Sequence, residues 1–419
     1  MPSMQARFDV EKFNAPASSA PSSAGSQSST PRRLRRILSL DDFETAARKH
    51  LPAPIFAYVS GGCETDKSLR GNREVFDAYR WVTSVLTDTS QRTLATPLLG
   101  HTYAAPFGIA PMGISALSAY RGDLIQTQAA AAANIPAILS GTSLIAMEDV
   151  VRVNPQAWFQ AYVPGEQERI LKLLDRVEAA GFKTLVVTVD TPVSGNRENN
   201  IRARFSTPLR PSLRLAWDGI THPRWLLGTA LRTLVKHGMP HFENSQATRG
   251  APILSSTVTR DFGARDHLGW EHLALIRRRW TGHLVVKGIL RPQDALAARD
   301  AGADGIILSN HGGRQLDGSV SPMETLPHVV DAVGPDYAVM IDSGFRRGND
   351  VLLALALGAK FVFVGRPFNY AGAVGGEAGI LHATGILASE IRRNMALIGV
   401  QRPHGMGREH ILGRSSYSV

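Results

Sequence analysis

The stretch Gly305-Ile306-Ile307-Leu308-Ser309-Asn310-His311-Gly312-Gly313-Arg314-Gln315-Leu316-Asp317 joins an apolar run to a polar loop that contains two glycines. The run is short and rich in β-branched residues, which predicts a buried strand. The loop carries an imidazole that can accept a proton near neutral pH and a guanidinium that can hold a carboxylate. The glycines between them let the backbone lie close to a bound molecule. The alternative is a loop with a hydrogen-bonded histidine and a solvated arginine.

Seven more apolar runs of this kind occur beyond residue 100, and helix-like stretches lie between most of them. The eight runs are Phe107–Ala110, Pro136–Leu139, Trp158–Ala161, Thr184–Val189, His283–Val286, Gly305–Leu308, Ala338–Ile341 and Phe361–Val364. Eight strand–helix units in about 270 residues predict an α/β fold of the (β/α)8 TIM barrel type, whose chemistry lies at the carboxyl ends of the strands. A doubly wound sheet is the alternative, but no Gly-x-Gly-x-x-Gly motif follows the first run.

The chain before the barrel has a different composition. Residues 1–36 are rich in Ser, Ala, Pro and Arg without a period, which predicts a disordered basic tail. An N-cap pattern at Ser39 and a short apolar pattern at Pro54–Ser60 predict an N-terminal helical extension. The barrel with this extension is predicted to occupy residues 37–419.

One connection, residues 206–260 after the fourth strand, is much longer than the others and shows no clear alternation of strand and helix. It mixes tryptophan and leucine with seven Lys or Arg against two acidic residues. Such a long excursion is usually functional or disordered. Two interpretations stay open, a segment that docks on anionic lipid and a lid that folds over the barrel mouth.

The composition limits the compartment and the partners. The 419 residues carry a net charge of +10 and a single cysteine, Cys63. One cysteine excludes an internal disulfide framework and fits a reducing compartment. The first thirty residues lack the apolar stretch of a signal peptide, so a cytoplasmic protein is expected, with peripheral contact at the inner face of the membrane as a further hypothesis. No basic–aromatic repeat or zinc pattern supports nucleic-acid binding, and no metal site is predicted.

Polar residues or glycines follow all eight predicted strands, and a barrel brings these ends to one rim. The loops after the last two strands, Asp342–Gly348 and Gly365-Arg366, combine glycine with arginine and predict a phosphate site. The rest of the rim offers a base, an acid that can orient it and two arginines, namely His311, Asp190, Arg197 and Arg314. No Ser or Cys nucleophile adjoins the base, so this set favours proton abstraction over acyl transfer.

Over about residues 38–385 the chain resembles the FMN-dependent L-2-hydroxy acid oxidase/dehydrogenase family, which includes glycolate oxidase, flavocytochrome b2 and the bacterial L-lactate and (S)-mandelate dehydrogenases. The most specific motif is Ser309–Asp317. Supporting motifs are Trp158–Tyr162, Thr188–Pro192, Val286–Gly288 and Ala354–Ala359. The pieces His222–Trp225 and His237–Pro240 are most similar to the membrane-associated bacterial dehydrogenases.

The resemblance implies oxidation of a 2-hydroxy acid to a 2-oxo acid. His311 is then the base and Asp190 stabilises the imidazolium. The expected substrate ligands are Arg197 and Arg314 for the carboxylate, with hydrogen bonds from Tyr58 and Tyr162. Lys287 is expected beside the N1–O2 edge of the flavin, where its charge favours the reduced ring.

The same resemblance implies that FMN is bound by two groups of residues. Those expected to line the flavin are Pro111, Met112, Gly113, Ser140, Gln160, Thr188 and Ser309. Those expected to hold its phosphate are Asp342, Ser343, Gly344, Arg346, Gly365 and Arg366. It further implies a homotetramer that passes electrons to a quinone or a cytochrome rather than to oxygen. The alternatives are an oxygen-using oxidase, a phosphate-binding barrel isomerase or lyase without flavin, and a catalytically idle scaffold.

Three positions depart from the commoner family pattern. Thr142 stands where glycolate oxidase-like members carry a tryptophan over the substrate, and Ser194 is also smaller than its counterpart. These differences predict a pocket that accepts lactate and larger acids, with glycolate the poorest. Asp342-Ser343-Gly344 replaces the commoner Asp-Gly-Gly.

Overall fold

The computed structural model describes residues 31–258 and 265–413, and within them eight parallel strands form one sheet. The strands are β1 (Phe107–Ile109), β2 (Ile138–Ser140), β3 (Trp158–Ala161), β4 (Thr184–Thr188), β5 (His283–Ile289), β6 (Gly305–Leu308), β7 (Ala338–Ile341) and β8 (Phe361–Val364). Neighbours in sequence pair with one another, and β8 pairs with β1. The ring is closed between β1 and β2 by the Ile109 amide, which donates to the Pro136 carbonyl over 2.9 Å. The predicted TIM barrel is therefore confirmed over the doubly wound sheet.

Four strands match their apolar runs to the residue, β1 and β4 each end one residue earlier, and β2 and β5 differ by more. β2 begins two residues later than predicted, because Pro136 and Ala137 only bridge to β1. β5 continues past Val286 to Ile289, because Lys287 still pairs with Thr188 before a bulge at Gly288. That extension carries a charged side chain into the barrel mouth.

Helices follow the strands as a barrel requires. Those between β1 and β8 are Ser115–Ser118, Gly122–Ala132, Met147–Val153, Gln167–Ala180, Trp270–Arg279, Pro292–Asp300, Pro322–Val333 and Gly348–Ala356. The helical span Arg366–Ile398 after β8 is kinked at Gly376, where φ is +61°. Smaller elements are the helix Glu198–Arg202, the 3-10 turns Val75–Ala78, Pro403–Gly405 and Arg408–His410, and the strands Tyr79–Trp81 and Ile411–Gly413, which pair with each other.

The barrel interior is filled with side chains and closed at the amino-terminal end. Every strand from β2 to β8 contributes a buried side chain, among them Trp158, Met340 and Phe363. A hairpin of Thr96–Leu98 and His101–Tyr103 covers this end, and the Trp158 indole donates to the Tyr103 hydroxyl over 3.3 Å. The carboxyl ends of the strands are therefore the open end of the barrel.

The predicted helical extension is present before the barrel as Leu40–His50, Ala53–Ser60 and Lys67–Glu74. Ser39 caps the first helix in a reciprocal box with Asp42, which supplies partners for two otherwise free backbone amides. Residues 31–36 differ from the expected disordered tail, because they form turns and bury Leu34 against Gly375. The rest of that predicted tail, residues 1–30, lies outside the described residues.

The 206–260 insertion contains more regular structure than expected. It holds the helices Leu213–Ile220, Pro223–Trp225 and Arg232–His237, with a π-helical turn at Leu226–Leu231. Trp225 anchors this segment, because its buried indole donates to the Leu117 carbonyl over 2.7 Å. Residues 259–264 lie outside the described ranges. Within those ranges, no helix has both the length and the apolarity needed to span a bilayer.

Candidate active site

A cavity of about 890 Å³ opens at the carboxyl ends of the barrel strands. Twenty residues were expected from the sequence to serve catalysis, substrate binding or FMN binding, and sixteen of them line this cavity. They are Tyr58, Pro111, Met112, Gly113, Tyr162, Thr188, Arg197, Lys287, His311, Arg314, Asp342, Ser343, Gly344, Arg346, Gly365 and Arg366. The other four, Ser140, Gln160, Asp190 and Ser309, lie directly behind this lining. The structure therefore brings the residues expected from the sequence together around one cavity.

A histidine–carboxylate pair stands at the centre of the site. His311 Nδ1 lies 2.9 Å from Asp190 Oδ1, and both side chains are largely buried. Burial lowers the pKa of His311, and the nearby charges of Lys287 and Arg197 act in the same direction against the opposing effect of Asp190. Burial alone would raise the pKa of Asp190, but the interaction with His311 outweighs it and the net shift is downward. A neutral imidazole that donates through Nδ1 to a carboxylate keeps Nε2 available to accept a proton.

The backbone at this histidine has an unusual conformation. His311 adopts φ of +59°, and its amide donates to Ser309 Oγ over 3.0 Å. Gly312 and Gly313 also have positive φ, and a Cβ at Gly313 would lie 2.6 Å from the amide nitrogen of Leu69. The Gly-Gly pair is needed because the loop packs directly on the N-terminal extension.

Two arginines face the same space without an acidic partner. Arg314 Nη1 donates to the carbonyls of Tyr58 and Gly61 at 2.7 and 2.8 Å. Arg197 Nε donates to the Arg314 carbonyl over 3.1 Å. Burial, together with the charge of Arg197, lowers the pKa of Arg314 to about 9, so it stays protonated at neutral pH. In the part of the chain that the structure describes, no carboxylate forms an ion pair with either guanidinium, and this arrangement fits an anionic ligand.

Two tyrosines flank the arginines and the histidine. The ring of Tyr58 stacks on Phe205 with centroids 4.5 Å apart, and Arg314 lies 4.9 Å from the Tyr58 centroid. The ring of Tyr162 lies 6.4 Å from that of His311. Burial raises the pKa of Tyr162, and the charge of Asp190 adds to the shift. The Tyr162 hydroxyl therefore stays protonated and can donate a hydrogen bond.

A buried lysine connects the base loop to the loop after β7. Lys287 Nζ donates to Ser309 Oγ over 2.7 Å and forms an ion pair with Asp342 Oδ2 at 3.0 Å. Burial opposes the charge of Lys287, but the carboxylates of Asp342 and Asp190 outweigh it and raise its pKa. The lysine is therefore a fixed positive charge at the floor of the cavity.

Two buried polar groups at the β3 and β4 ends fit a bound polar ring. Gln160 Oε1 accepts from Ser140 Oγ over 3.2 Å, but Gln160 Nε2 and Thr188 Oγ1 have no hydrogen-bond partner within the described residues. Buried polar groups are rarely left unpaired, so a ligand with hydrogen-bonding edges is expected against them. The flavin ring has such edges, and the residues present fit it.

The far end of the cavity fits a phosphate. Arg366 donates to the carbonyls of Val59, Gly61 and Gly312 over 2.9 to 3.0 Å, and within the described ranges it forms no ion pair. Arg346 lies 3.6 and 3.7 Å from carboxylates of the first helix, so its charge is partly compensated. Gly344 has φ of +93°, and a Cβ there would overlap the Asn72 carbonyl. Backbone amides and guanidinium groups together make an anion site.

Several residues in the site were not identified from the sequence. Gln315 accepts from Arg197 Nη2 over 3.0 Å and donates to the carbonyl oxygens of Asp190 and Val193, so it holds the arginine and the acid in register. Phe205 and Arg265 lie on either side of the long insertion, and the Arg265 guanidinium lies 5.0 Å from the Tyr162 centroid. Gln315 belongs to the Ser309–Asp317 motif and follows Arg314 directly. No motif in the sequence marks Phe205 or Arg265.

These features define a class of protein, an eight-stranded parallel barrel with a cavity lined by arginines and a histidine at the carboxyl ends of its strands. A family model described as FMN-dependent dehydrogenase matches residues 47–412. The chain belongs to this family of FMN-dependent oxidoreductases that act on 2-hydroxy acids.

Curated relatives and solved structures agree with this assignment. The chain is 38% identical to an (S)-mandelate dehydrogenase from Pseudomonas putida over 87% of its own length and 91% of that protein. It is also 38% identical to an L-lactate dehydrogenase from Stenotrophomonas maltophilia over 90% and 99% of the two chains. A crystal structure of the monotopic membrane protein (S)-mandelate dehydrogenase covers 90% of this chain and 100% of its own, at 35% identity and a TM-score of 0.82. A mandelate oxidase variant covers 88% and 97%, at 33% identity and a TM-score of 0.74.

Proposed function

We propose that this FMN enzyme oxidises an L-2-hydroxy acid of the lactate or mandelate type to the 2-oxo acid. The observation that carries the proposal is His311, held 2.9 Å from Asp190 through Nδ1, in a cavity with two arginines that form no ion pair in the described part of the chain. A base beside a carboxylate clamp is the arrangement that a 2-hydroxy acid requires. The names of the relatives in both sequence and structure comparisons support the same substrate class.

In the proposed mechanism, the substrate carboxylate binds Arg197 and Arg314, while Tyr58 and Tyr162 hydrogen-bond the substrate oxygens. His311 Nε2 accepts one of the two protons that the alcohol loses, and Asp190 stabilises the imidazolium through Nδ1. FMN, held by the residues assigned below, would supply the acceptor for the electron pair and the second proton. Burial of the His311–Asp190 pair strengthens its interaction, because the surrounding medium has a low dielectric constant.

The proposed flavin site uses the residues behind and around the base. Pro111, Met112, Gly113, Ser140, Gln160, Thr188 and Ser309 are assigned to the ring. Lys287 is assigned to its N1–O2 edge, where a fixed positive charge stabilises the reduced form. The phosphate is assigned to the loops with Asp342, Ser343, Gly344, Arg346, Gly365 and Arg366.

The proposed substrate range includes acids larger than glycolate. Thr142 and Ser194 are small, and both line the cavity. Trp217, which could have folded in to fill the space, is 64% exposed and does not line the cavity, whereas Met112 and Phe205 do. An apolar group that fills such a space contributes about 1–3 kcal/mol to discrimination. Lactate and mandelate should therefore be preferred over glycolate.

The proposed electron acceptor is a membrane quinone, with a cytochrome as the alternative. The insertion exposes Leu213, Leu227 and Val235, at 92%, 64% and 84%, next to arginines and a lysine. Apolar side chains ringed by basic ones favour binding to an anionic membrane surface. The likeness to a monotopic membrane protein supports peripheral docking at the cytoplasmic face of the membrane. A homotetramer is also proposed, and light scattering on the purified protein tests it.

A second candidate function is oxidation with oxygen as the acceptor. The specific observation that favours it is the similarity to mandelate oxidase structures. The site residues do not discriminate between the two acceptors, because both serve only the reoxidation of the same reduced flavin.

One anaerobic experiment tests the substrate proposal and the acceptor proposal. The purified yellow protein is mixed with glycolate, L-lactate or (S)-mandelate, and the loss of flavin absorbance is followed before air is admitted. Bleaching by lactate or mandelate with slow reoxidation in air supports the dehydrogenase, and fast reoxidation supports the oxidase. A colourless protein, or a yellow one that no 2-hydroxy acid bleaches, would overturn the proposal. Thr142→Trp should shift kcat/KM toward small acids, and a wild-type preference for glycolate would show that the pocket is closed.

A further inference from the structure

Ser343 is a serine in a backbone conformation that favours glycine. Its φ is +80°, and it follows Asp342 in the loop after β7, where the commoner family pattern has glycine. A side chain at positive φ is strained, so contacts made by the side chain itself are the place to look for a compensating role. Ser343 is 8% exposed, and its hydroxyl is fully engaged with two neighbours.

The Ser343 hydroxyl completes a chain of hydrogen bonds between the base loop and Lys287. Its Oγ accepts from the Gly312 amide over 3.1 Å and donates to Asp342 Oδ1 over 2.9 Å. The other oxygen of that carboxylate, Oδ2, is the one paired with Lys287 Nζ at 3.0 Å. Lys287 also donates to Ser309 Oγ, which in turn accepts from the His311 amide.

We propose that Ser343 is a positioning residue that raises the reduction potential of the flavin by limiting how far Asp342 neutralises Lys287. The inference deepens the proposed function, because it rests on the place of Lys287 beside the flavin ring. When one oxygen of a carboxylate accepts a hydrogen bond from a hydroxyl, the negative charge on the other oxygen is reduced. Asp342 therefore screens the lysine less, and more of the lysine's positive charge acts on the ring.

The hydrogen bond from Gly312 gives the hydroxyl its direction. An oxygen that accepts from a backbone amide keeps its proton for the carboxylate, since the lone pair facing Gly312 is occupied. The same bond ties the loop after β7 to the residue that follows His311. Ser343 therefore acts through Asp342 and Lys287, with no contact to a reacting atom required.

Two variants separate the hydroxyl from the backbone strain. Ser343→Ala loses the hydroxyl and keeps the strain, whereas Ser343→Gly loses both and should fold at least as well as the wild type. Both should lower the equilibrium constant for two-electron reduction of the bound FMN about threefold to tenfold, which is about 15–30 mV toward more negative potential. The midpoint potential is measured by anaerobic dye equilibration on FMN-loaded protein. Thr384→Val is the control, because it removes a buried hydroxyl that bonds only within the last helix.

A variant that lacks the Asp342 charge tests whether Ser343 affects the flavin potential through Asp342. In Asp342→Asn the Ser343→Ala substitution should leave the potential nearly unchanged, since the carboxylate charge that the hydroxyl reduces is gone. An unchanged potential in Ser343→Ala and Ser343→Gly, or an equal shift with and without the Asp342 carboxylate, would overturn the inference. Bleaching of the wild-type flavin by a 2-hydroxy acid is scored separately, so failure of the proposed function is distinguishable from failure of this inference.

Discussion

His311 shows how one residue depends on its neighbours for its chemistry. Its tautomer is set by Asp190, its backbone is held by Ser309, and its low pKa follows from burial and from nearby cations. A histidine with an ordinary environment would be partly protonated at neutral pH and a poorer base. Burial and the neighbouring cations therefore favour the neutral imidazole, while Asp190 acts in the opposite direction.

The first prediction concerns this base. His311→Gln should lower the rate of flavin reduction by at least about 10³–10⁴-fold, because a positioned general base typically contributes 10²–10⁴. FMN binding should be kept, since the flavin residues are untouched. Stopped-flow absorbance under anaerobic conditions measures the rate. The matched control is His283→Gln at the opposite end of the barrel, and near-normal reduction by the 311 variant would disprove the assignment.

The second prediction concerns Asp123, a buried carboxyl near the β1 and β2 loops that plays no part in the proposed chemistry. Burial raises its pKa to about 7, and the hydrogen bonds of Ser143 and Ala116 oppose the shift only in part. A folded pKa above the unfolded value means that the protonated form stabilises the fold. This contribution is complete below about pH 4 and is lost as the pH rises through 7.

Asp123→Asn should therefore gain stability relative to the wild type between pH 5 and pH 8. The change is up to about 3 kcal/mol in the free energy of unfolding, from the shift in pKa. Urea denaturation at the two pH values measures it. The exposed Asp300→Asn serves as the control, and the prediction does not hold if both variants show the same pH dependence.

At the level of elements, the strands could be predicted from the sequence but the insertion could not. Buried parallel strands appear as short apolar runs, and β3, β6, β7 and β8 match their runs to the residue. The insertion has apolar side chains on exposed as well as buried faces, and Pro223 and Gly228 interrupt any period. Its helices gain from contacts such as that of Trp225 with Leu117, which no local pattern reveals.

The same distinction applies to the site. Residues at strand ends could be placed from the sequence, because the barrel fixes where strands end. Phe205 and Arg265 could not, because they reach the cavity from within a long connection. The turn at residues 31–36 was missed because only Leu34 is buried there, in a basic and proline-containing stretch.

The third prediction tests the insertion as a docking element. Replacing Leu213, Leu227 and Val235 together by serine should reduce binding to anionic liposomes by tenfold or more. Each apolar side chain that leaves water contributes about 1.5–3 kcal/mol when fully buried, and partial burial gives less. The three side chains are exposed, so the fold should not change. Liposome flotation measures binding.

The control for that variant replaces three exposed apolar residues outside the insertion by serine. Val85, Leu86 and Leu397 are exposed apolar residues at 81%, 104% and 65%, and they lie outside the insertion. Their replacement by serine should leave flotation unchanged. Equal flotation of both variants and the wild type would mean that the insertion is a lid or a subunit contact.

At the scale of the whole molecule, the insertion packs against one side of the cavity. The closed amino-terminal end of the barrel leaves only the carboxyl end for entry. Ile201 lines the cavity and is 73% exposed. Phe205 stacks on Tyr58 in the site and packs in one cluster with Leu209 and Phe242 of the insertion. A protein docked through the insertion would therefore present its flavin cavity close to the membrane surface.

The last prediction follows from this adjacency. With a quinone dissolved in anionic liposomes, the wild type should turn over at least tenfold faster than the variant with serine at 213, 227 and 235. With a water-soluble dye as acceptor the two should be equal, because the base, the arginines and the flavin residues are the same in both. Docking raises the local concentration of a lipid-soluble acceptor without changing the chemical step, so the difference belongs to the oxidation of reduced flavin. Steady-state assays with both acceptors at one substrate concentration measure it. If the serine variant lost activity with the dye as well, the insertion would act on the active site itself; if it kept full activity with the lipid-dissolved quinone, electrons would leave the protein by another face.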